Sequence, residues 1–167
     1  ATAELSEADW VNLGGLIEQQ IANRKTTTAG LIAEWPDDAK RPAAEIAADL
    51  AFGALLRSYT FKKYRTKRRD DDDTKAVEAA NGEAVPQERD GLASLVVHCA
   101  DPRAAEAAFV ARQAVADGAF LARDLVNEPA NYLTPRELAR RIRERAEPIG
   151  LKVDVLGENE MAELGAG

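Results

Sequence analysis

The chain of 167 residues reads as an α/β protein. Three observations predict this class. Four stretches repeat apolar residues at helical spacing, and two short apolar runs rich in β-branched residues fall between them. Helices and strands also alternate along the chain, the order that lays helices on a sheet.

The first helix begins at Ser6. Its hydroxyl can cap a free backbone N–H, and Glu7 and Asp9 suit the positive end of the helix dipole. Leu13, Leu16, Ile17 and Ile21 form one apolar stripe, and the helix fades near Arg24. Gly14-Gly15 weakens it by roughly 1 kcal/mol per glycine unless close packing requires the space. Residues 27–35 (TTAGLIAEW) read as a strand, and Pro36-Asp37-Asp38 as a turn. Pro42 suits the first turn of a second helix. Residues 43–56 are apolar on nearly every face except at Glu45 and Asp49, the pattern of a buried helix. From 68 to 91 no periodicity appears, so a surface loop or edge hairpin is expected.

Residues 92–99 (LASLVVHC) read as a buried strand. Asp101-Pro102 opens the longest helix, to Asp124 or Asn127, about 35 Å at 1.5 Å per residue. Phe109, Ala116 and Phe120 mark one face; Ala108, Ala111, Val115, Ala119 and Ala122 mark another. Two such faces predict a helix packed on two sides. Residues 127–133 (NEPANYL) break it. Thr134-Pro135-Arg136-Glu137 then supplies a cap, a first-turn proline and a glutamate to close a capping box. That helix ends near Pro148-Ile149-Gly150. Residues 151–156 (LKVDVL) alternate like a strand, and 158–164 form a short helix stopped by Gly165.

Composition narrows the function classes. Lys and Arg number 22 and Asp and Glu 29, a net charge of −7, so nucleic acid and anionic membranes are disfavoured as general partners. Hydrophobic residues make up 46%, enough for a core, but 33 of the residues are alanine and only 5% are aromatic. Helices must therefore pack closely through small side chains. A single cysteine excludes an internal disulfide and fits a reducing compartment. No apolar run approaches the roughly 20 residues of a membrane span, and no leader peptide opens the chain. Ala1 and Gly167 both read as cut ends of something longer.

Local chemistry is sparse. His98 and Cys99 are adjacent on a predicted strand, so their side chains point to opposite faces and cannot converge on a metal. Asp70 to Asp73 lack the spacing and glycine of a calcium loop and read as a solvated loop. Lys62, Lys63, Arg65, Lys67, Arg68 and Arg69 interleave with Phe61 and Tyr64, one look of a single-strand binder. The acids that follow neutralise four of the six charges, which favours a structural or subunit-contact role. Arg136, Arg140, Arg141, Arg143 and Arg145 lie among Glu137, Glu144 and Glu147, the pattern of an exposed salt-bridged face. No phosphate-binding glycine loop, nucleophile elbow or zinc-protease histidine pair is present.

Residues 122–135 (ARDLVNEPANYLTP) closely resemble the start of the catalytic domain in the leucyl (cytosol) aminopeptidase family. There a long helix ends in an Arg-Asp-Leu-Val-Asn-x-Pro-x-Asn turn and Thr-Pro opens the next helix. Residues 150–156 (GLKVDVL), 161–165 (MAELG), 49–59 (DLAFGALLRSY) and 64–67 (YRTK) also resemble that family, in the same order. Thr60 and Lys62 depart from the family's Tyr-x-Phe-x-Lys-Tyr block, and Ala166 stands where Met is usual. The resemblance implies a partial macro-like N-terminal domain over 1–100, a linking helix over 101–127, and the truncated start of an α/β/α catalytic domain over 128–167. It implies a cytoplasmic hydrolase that removes N-terminal residues from peptides, using two divalent ions, zinc or manganese. It also implies a homohexamer. The family's metal and catalytic residues lie in a Gly-Lys-Gly motif and an Asn-Thr-Asp-Ala-Glu-Gly-Arg motif, and neither occurs here. No catalytic, cofactor-binding or metal residue is therefore assigned, and this chain alone is expected to be inactive. The alternative is a non-catalytic binding or assembly module of the DNA-binding regulator type, for which residues 62–69 are the candidate surface.

Overall fold

A computed structural model describes residues 5–24, 26–34, 41–64 and 92–165. The element order is α1 (Glu7–Ala22), β1 (Thr28–Ile32), α2 (Ala43–Arg57), β2 (Ser94–His98), α3 (Pro102–Asn127), α4 (Pro135–Ala146), a 3-10 turn (Glu147–Ile149) and α5 (Glu158–Glu163). The fold is α/β. The turn expected at 36–38, the loop expected at 68–91, Asp70 to Asp73, and Arg65 to Arg69 lie outside the described residues. The chain divides into two compact units, 1–120 and 121–167.

In the first unit β1 and β2 pair in parallel, with Thr28 opposite Ser94 and Ile32 opposite His98. A parallel pair needs a crossover, and α2 lies in the connection. Each strand buries alternate residues only. Ala29, Leu31, Leu95 and Val97 are half-covered, while Ile32, Val96 and His98 are exposed. The continuous apolar run at 92–99 is thus a one-sided strand, not the buried strand expected. Period-two geometry sends its neighbouring apolar side chains to opposite faces, and helices of the described chain cover one of them.

Helix α1 starts as its sequence dictates. The Ser6 hydroxyl accepts from the Asp9 amide at 3.3 Å, and the Asp9 carboxylate accepts from the Ser6 amide at 2.9 Å. Its buried stripe differs from the expected one. Trp10, Gly14 and Glu18 face inward with Ile17 and Ile21 of the expected stripe half-covered beside them, whereas Leu13 and Leu16 are exposed. The glycines decide the face. A Cβ on Gly14 would lie 2.1 Å from the Leu50 carbonyl oxygen, and one on Gly53 would lie 1.8 Å from that of Val11. The two helices meet backbone to backbone, so the side presenting glycine must be the contact side. Trp10 packs with Ile46 and Leu50, flanked by Leu5, Ile17 and Leu31. Helix α2 buries seven residues, as its all-round apolar pattern predicts, including Asp49.

Helix α3 is continuous from Pro102 to Asn127. Its covered stripe is the one marked by Phe109, Ala116 and Phe120. Of the second face expected to pack, Ala111, Val115 and Ala122 are exposed, with Val115 retaining 61% of its accessible surface, while Ala108 and Ala119 are half-covered. Alanine spacing gives a face little apolar area, so periodicity alone does not bring a partner to it.

In the second unit the Thr134 hydroxyl accepts from the Glu137 amide at 3.3 Å. The Glu137 carboxylate does not close the expected box; it is taken by Arg140 and Arg141. Gly150 ends the 3-10 turn in the left-handed region, at φ 83°. Residues 151–156 form no strand. An extended segment draws its ladder hydrogen bonds from a neighbour, and none of the described residues supplies one. Helix α5 follows, with Gly165 also left-handed, at φ 69°.

Candidate functional site

Three groupings of polar side chains stand out, and each grows from helix geometry. On α2, Glu45 and Asp49 are four residues apart and share one face. Asp49 is fully buried. Arg112 on α3 reaches it from 63 residues away, with Nε donating to Asp49 Oδ1 at 2.7 Å and Nη2 to Glu45 at 2.5 Å. Its third donor, Nη1, goes to the Ala108 carbonyl at 2.6 Å. Arg41 donates to the other Asp49 oxygen at 2.8 Å and lies 3.7 Å from Glu7. Burial works against the Arg112 charge, but the bonds to Glu45 and Asp49 outweigh it and raise its pKa. Two arginines thus saturate one buried carboxylate. The cluster clamps α2 to α3 and leaves Asp49 no open position for a ligand.

The second grouping is a cleft of about 460 Å³ within the first unit, bounded by α1, α2, β2 and α3. Alanines of α2 line one wall, with Leu55, Val97 and Phe109. Glu18, 6% exposed, lines it. Burial pushes the Glu18 carboxyl above its ordinary pKa, and Arg57 pulls in the opposite direction. Cys99 lines the same cleft, while His98 is exposed.

The third grouping builds the turn at 127–134. The Asn127 side-chain amide donates to the Arg123 carbonyl at 2.8 Å, closing the end of α3. The Pro129 carbonyl accepts from the amides of Tyr132 at 2.9 Å and Leu133 at 3.0 Å. Glu128, whose side chain is 2% exposed, pairs with Arg141 of α4 at 2.9 Å. Arg141 also binds Glu137 at 2.7 Å, and Arg140 binds Glu137 at 2.6 Å and Glu144 on the next turn. Arg143 lies 3.6 Å from Glu147. The arginine-rich helix is therefore the salt-bridged face its sequence predicts, with one addition: Arg141 also pins the preceding turn.

Hydrogen bonds from Arg140 and then Arg141 hold the Glu137 carboxyl at about 2, against an ordinary 4.5. A carboxylate with a depressed pKa stabilises the folded state above its unfolded value. That contribution is complete above about pH 4.5 and is lost as pH falls toward 2. Carbon-detected NMR titration of the side chain should place its midpoint near 2. A midpoint near 4.5 would show that the two arginine contacts are not kept in solution.

Among the described residues, no three His, Cys, Asp or Glu side chains come together in a way that could hold a metal ion. Of the basic and aromatic cluster, the Phe61 and Tyr64 rings lie 5.9 Å apart, tilted by 53°, and the Lys63 ammonium lies 5.6 Å from the centre of the Tyr64 ring. No described helix is long and apolar enough to cross a membrane. Sequence reasoning missed the Asp49 cluster and Glu18. The available signals were two acids four apart on an otherwise apolar helix, and an acid in register with Trp10 and Gly14.

Residues 120–167 match the cytosol aminopeptidase family, catalytic domain. The chain is 40% identical over 166 residues to a "probable cytosol aminopeptidase" of Brucella anthropi, covering 98% of this chain and 29% of that protein. It is 42% identical over 164 residues to a protein of the same name from a Chelativorans species, with the same coverage. The chain thus spans about three tenths of the length of these relatives. Among solved structures, the bottromycin maturation enzyme BotP in complex with Mn matches at 30% identity and a TM-score of 0.69, over 98% of this chain and 30% of that one. A tomato leucine aminopeptidase mutant matches in fold, with a TM-score of 0.74 at 20% identity, over the same shares. Similarity over nearly the whole chain and agreement of fold place this protein in the cytosol aminopeptidase family.

Proposed function

We propose that this chain is part of a metal-dependent aminopeptidase that hydrolyses N-terminal residues from peptides, in the cytoplasm and as a homohexamer. The observation that carries the reading is the similarity to named cytosol aminopeptidases along nearly the whole chain. A structural relative bound to Mn supports divalent metal as the cofactor, and we take the number of ions to be two. The described residues do not fit that group, since no cluster of ligands is present among them. Their contribution is scaffold. We take residues 1–100 as a partial N-terminal domain, 101–127 as the link, and 128–167 as the opening of the catalytic domain. The turn at 127–134 redirects the chain there, and Glu128 with Arg141 fixes its angle.

The test is an assay of leucine p-nitroanilide with added manganese or zinc. The 167-residue chain alone is expected to show no turnover. A polypeptide of the relatives' length that contains it should be active and should lose activity to a chelator. Turnover by the purified chain alone would overturn the scaffold assignment, and chelator-resistant activity would overturn the metal.

A further inference from the structure

The cleft of the first unit holds a carboxylate for which the family reading has no use. Glu18 is 6% exposed as a residue and lines the cleft, and its carboxylate oxygens are not among the fully buried unpaired atoms, so they meet solvent there. A carboxylate in a largely covered site keeps only part of its hydration, so a charged donor that enters the site is held more strongly than one in open water. Arg57 is the positive charge nearest in influence, but it is exposed and acts only at a distance. The room around Glu18 comes from sequence. Ala47, Ala48, Ala51 and Ala54 give α2 small side chains along much of this wall, which leaves space beside Glu18 of α1.

We propose that this cleft binds a small apolar amine, with its ammonium on Glu18 and its hydrocarbon against Ala51, Leu55, Val97 and Phe109. The volume, about 460 Å³, lies within the roughly 300–1,000 Å³ of small-molecule sites. The wall is largely apolar, and a few polar groups break it, as such sites require. Charge selects the ligand class. The acids that line the cleft are Glu18 and Glu106, so carboxylates and phosphates are repelled and a cation is attracted. A metal ion is a poor occupant, because among the described residues no three ligands gather there. An ammonium needs only one carboxylate and supplies the donors that Glu18 lacks. Gln113, also on the wall, can accept a further N–H.

The test uses three probes of one shape: 2-phenylethylamine, 2-phenylethanol and 3-phenylpropanoate. Binding is followed by amide shifts in NMR titrations of the protein at neutral pH. The amine should bind about tenfold or more tightly than the alcohol, and the acid more weakly than either. Glu18→Gln should cut amine affinity about tenfold and leave alcohol affinity within about twofold. The amine's advantage over the alcohol in the unaltered protein should also shrink as pH is lowered and Glu18 is protonated, a readout that needs no variant. Equal affinity for amine and alcohol would show a merely apolar cleft and overturn the proposal. So would the absence of any saturable shift, or an amine affinity indifferent to both Glu18→Gln and pH.

Discussion

Gly53→Ala is expected to cost about 3 kcal/mol or more and to lower the melting temperature by about 6–12 °C for a chain of this size. The added methyl would meet the Val11 carbonyl oxygen at 1.8 Å and its carbon at 2.7 Å. Both are backbone atoms of a helix, so no rotamer change relieves the overlap. The helices must separate, and Trp10, Ile46 and Leu50 then lose contact together. Gly14→Ala meets the Leu50 carbonyl at 2.1 Å from the other side and should cost a similar amount. Because the two substitutions force apart the same pair of helices, the double variant should cost less than their sum. Gly118→Ala is the control. Nothing lies within 4 Å of its added methyl, and alanine is the better helix former by about 1 kcal/mol, so a small gain is expected. Chemical denaturation of the four variants decides the matter; a Gly53→Ala protein as stable as the parent would mean that the helices do not touch at these glycines.

Asp49→Ala is expected to cost about 3–5 kcal/mol, the range for removing one member of a buried ion pair. The loss is large because two guanidinium groups depend on one carboxylate. Arg41 and Arg112 have side chains 28% and 16% exposed and would both face a void. Glu45 remains for Arg112, which limits the damage on that side. Arg112→Met alone removes a buried charge with its partner left behind and should also destabilise. Combined with Asp49→Ala it should add little, since the charges that needed each other are then both gone. Urea unfolding of the cycle tests this. A loss below about 1 kcal/mol in Asp49→Ala would show that the cluster is held by solvent and not by its own pairing.

What could be read from sequence was whatever is decided within a few residues. The Ser6 and Thr134 caps, the extent of α3, the stop at Gly150 and the arginine-glutamate ladder of α4 are local chemistry, and each stands where expected. The turn at 127–134 was legible for a different reason: its motif is long enough to identify a family. What failed was whatever depends on a distant partner. The inward face of α1 follows Gly14 because Gly53 waits on another helix, and no periodicity in 7–22 reveals that. The alternation at 151–156 is a strand pattern with no described neighbour to pair with. Asp49 reads as the polar face of a helix until Arg112, 63 residues on, covers it. Glu18 was legible only as one acid among many, since its burial is made by the alanines of α2.

The buried apolar residues of the described chain run from Trp10 to Ala116, and the only buried residue after that is Glu128. The amides of α4 and α5 can therefore open to solvent without exposing a single buried apolar side chain. Opening events of that kind carry little free energy, whereas freeing an amide of α2 requires Ile46 and Leu50 to leave their packing. Protection against exchange should thus follow a steep gradient along the chain, high around α1 and α2 and low beyond α3. The ion pairs of α4 then set what little resistance the later segment has, and salt erodes it first there.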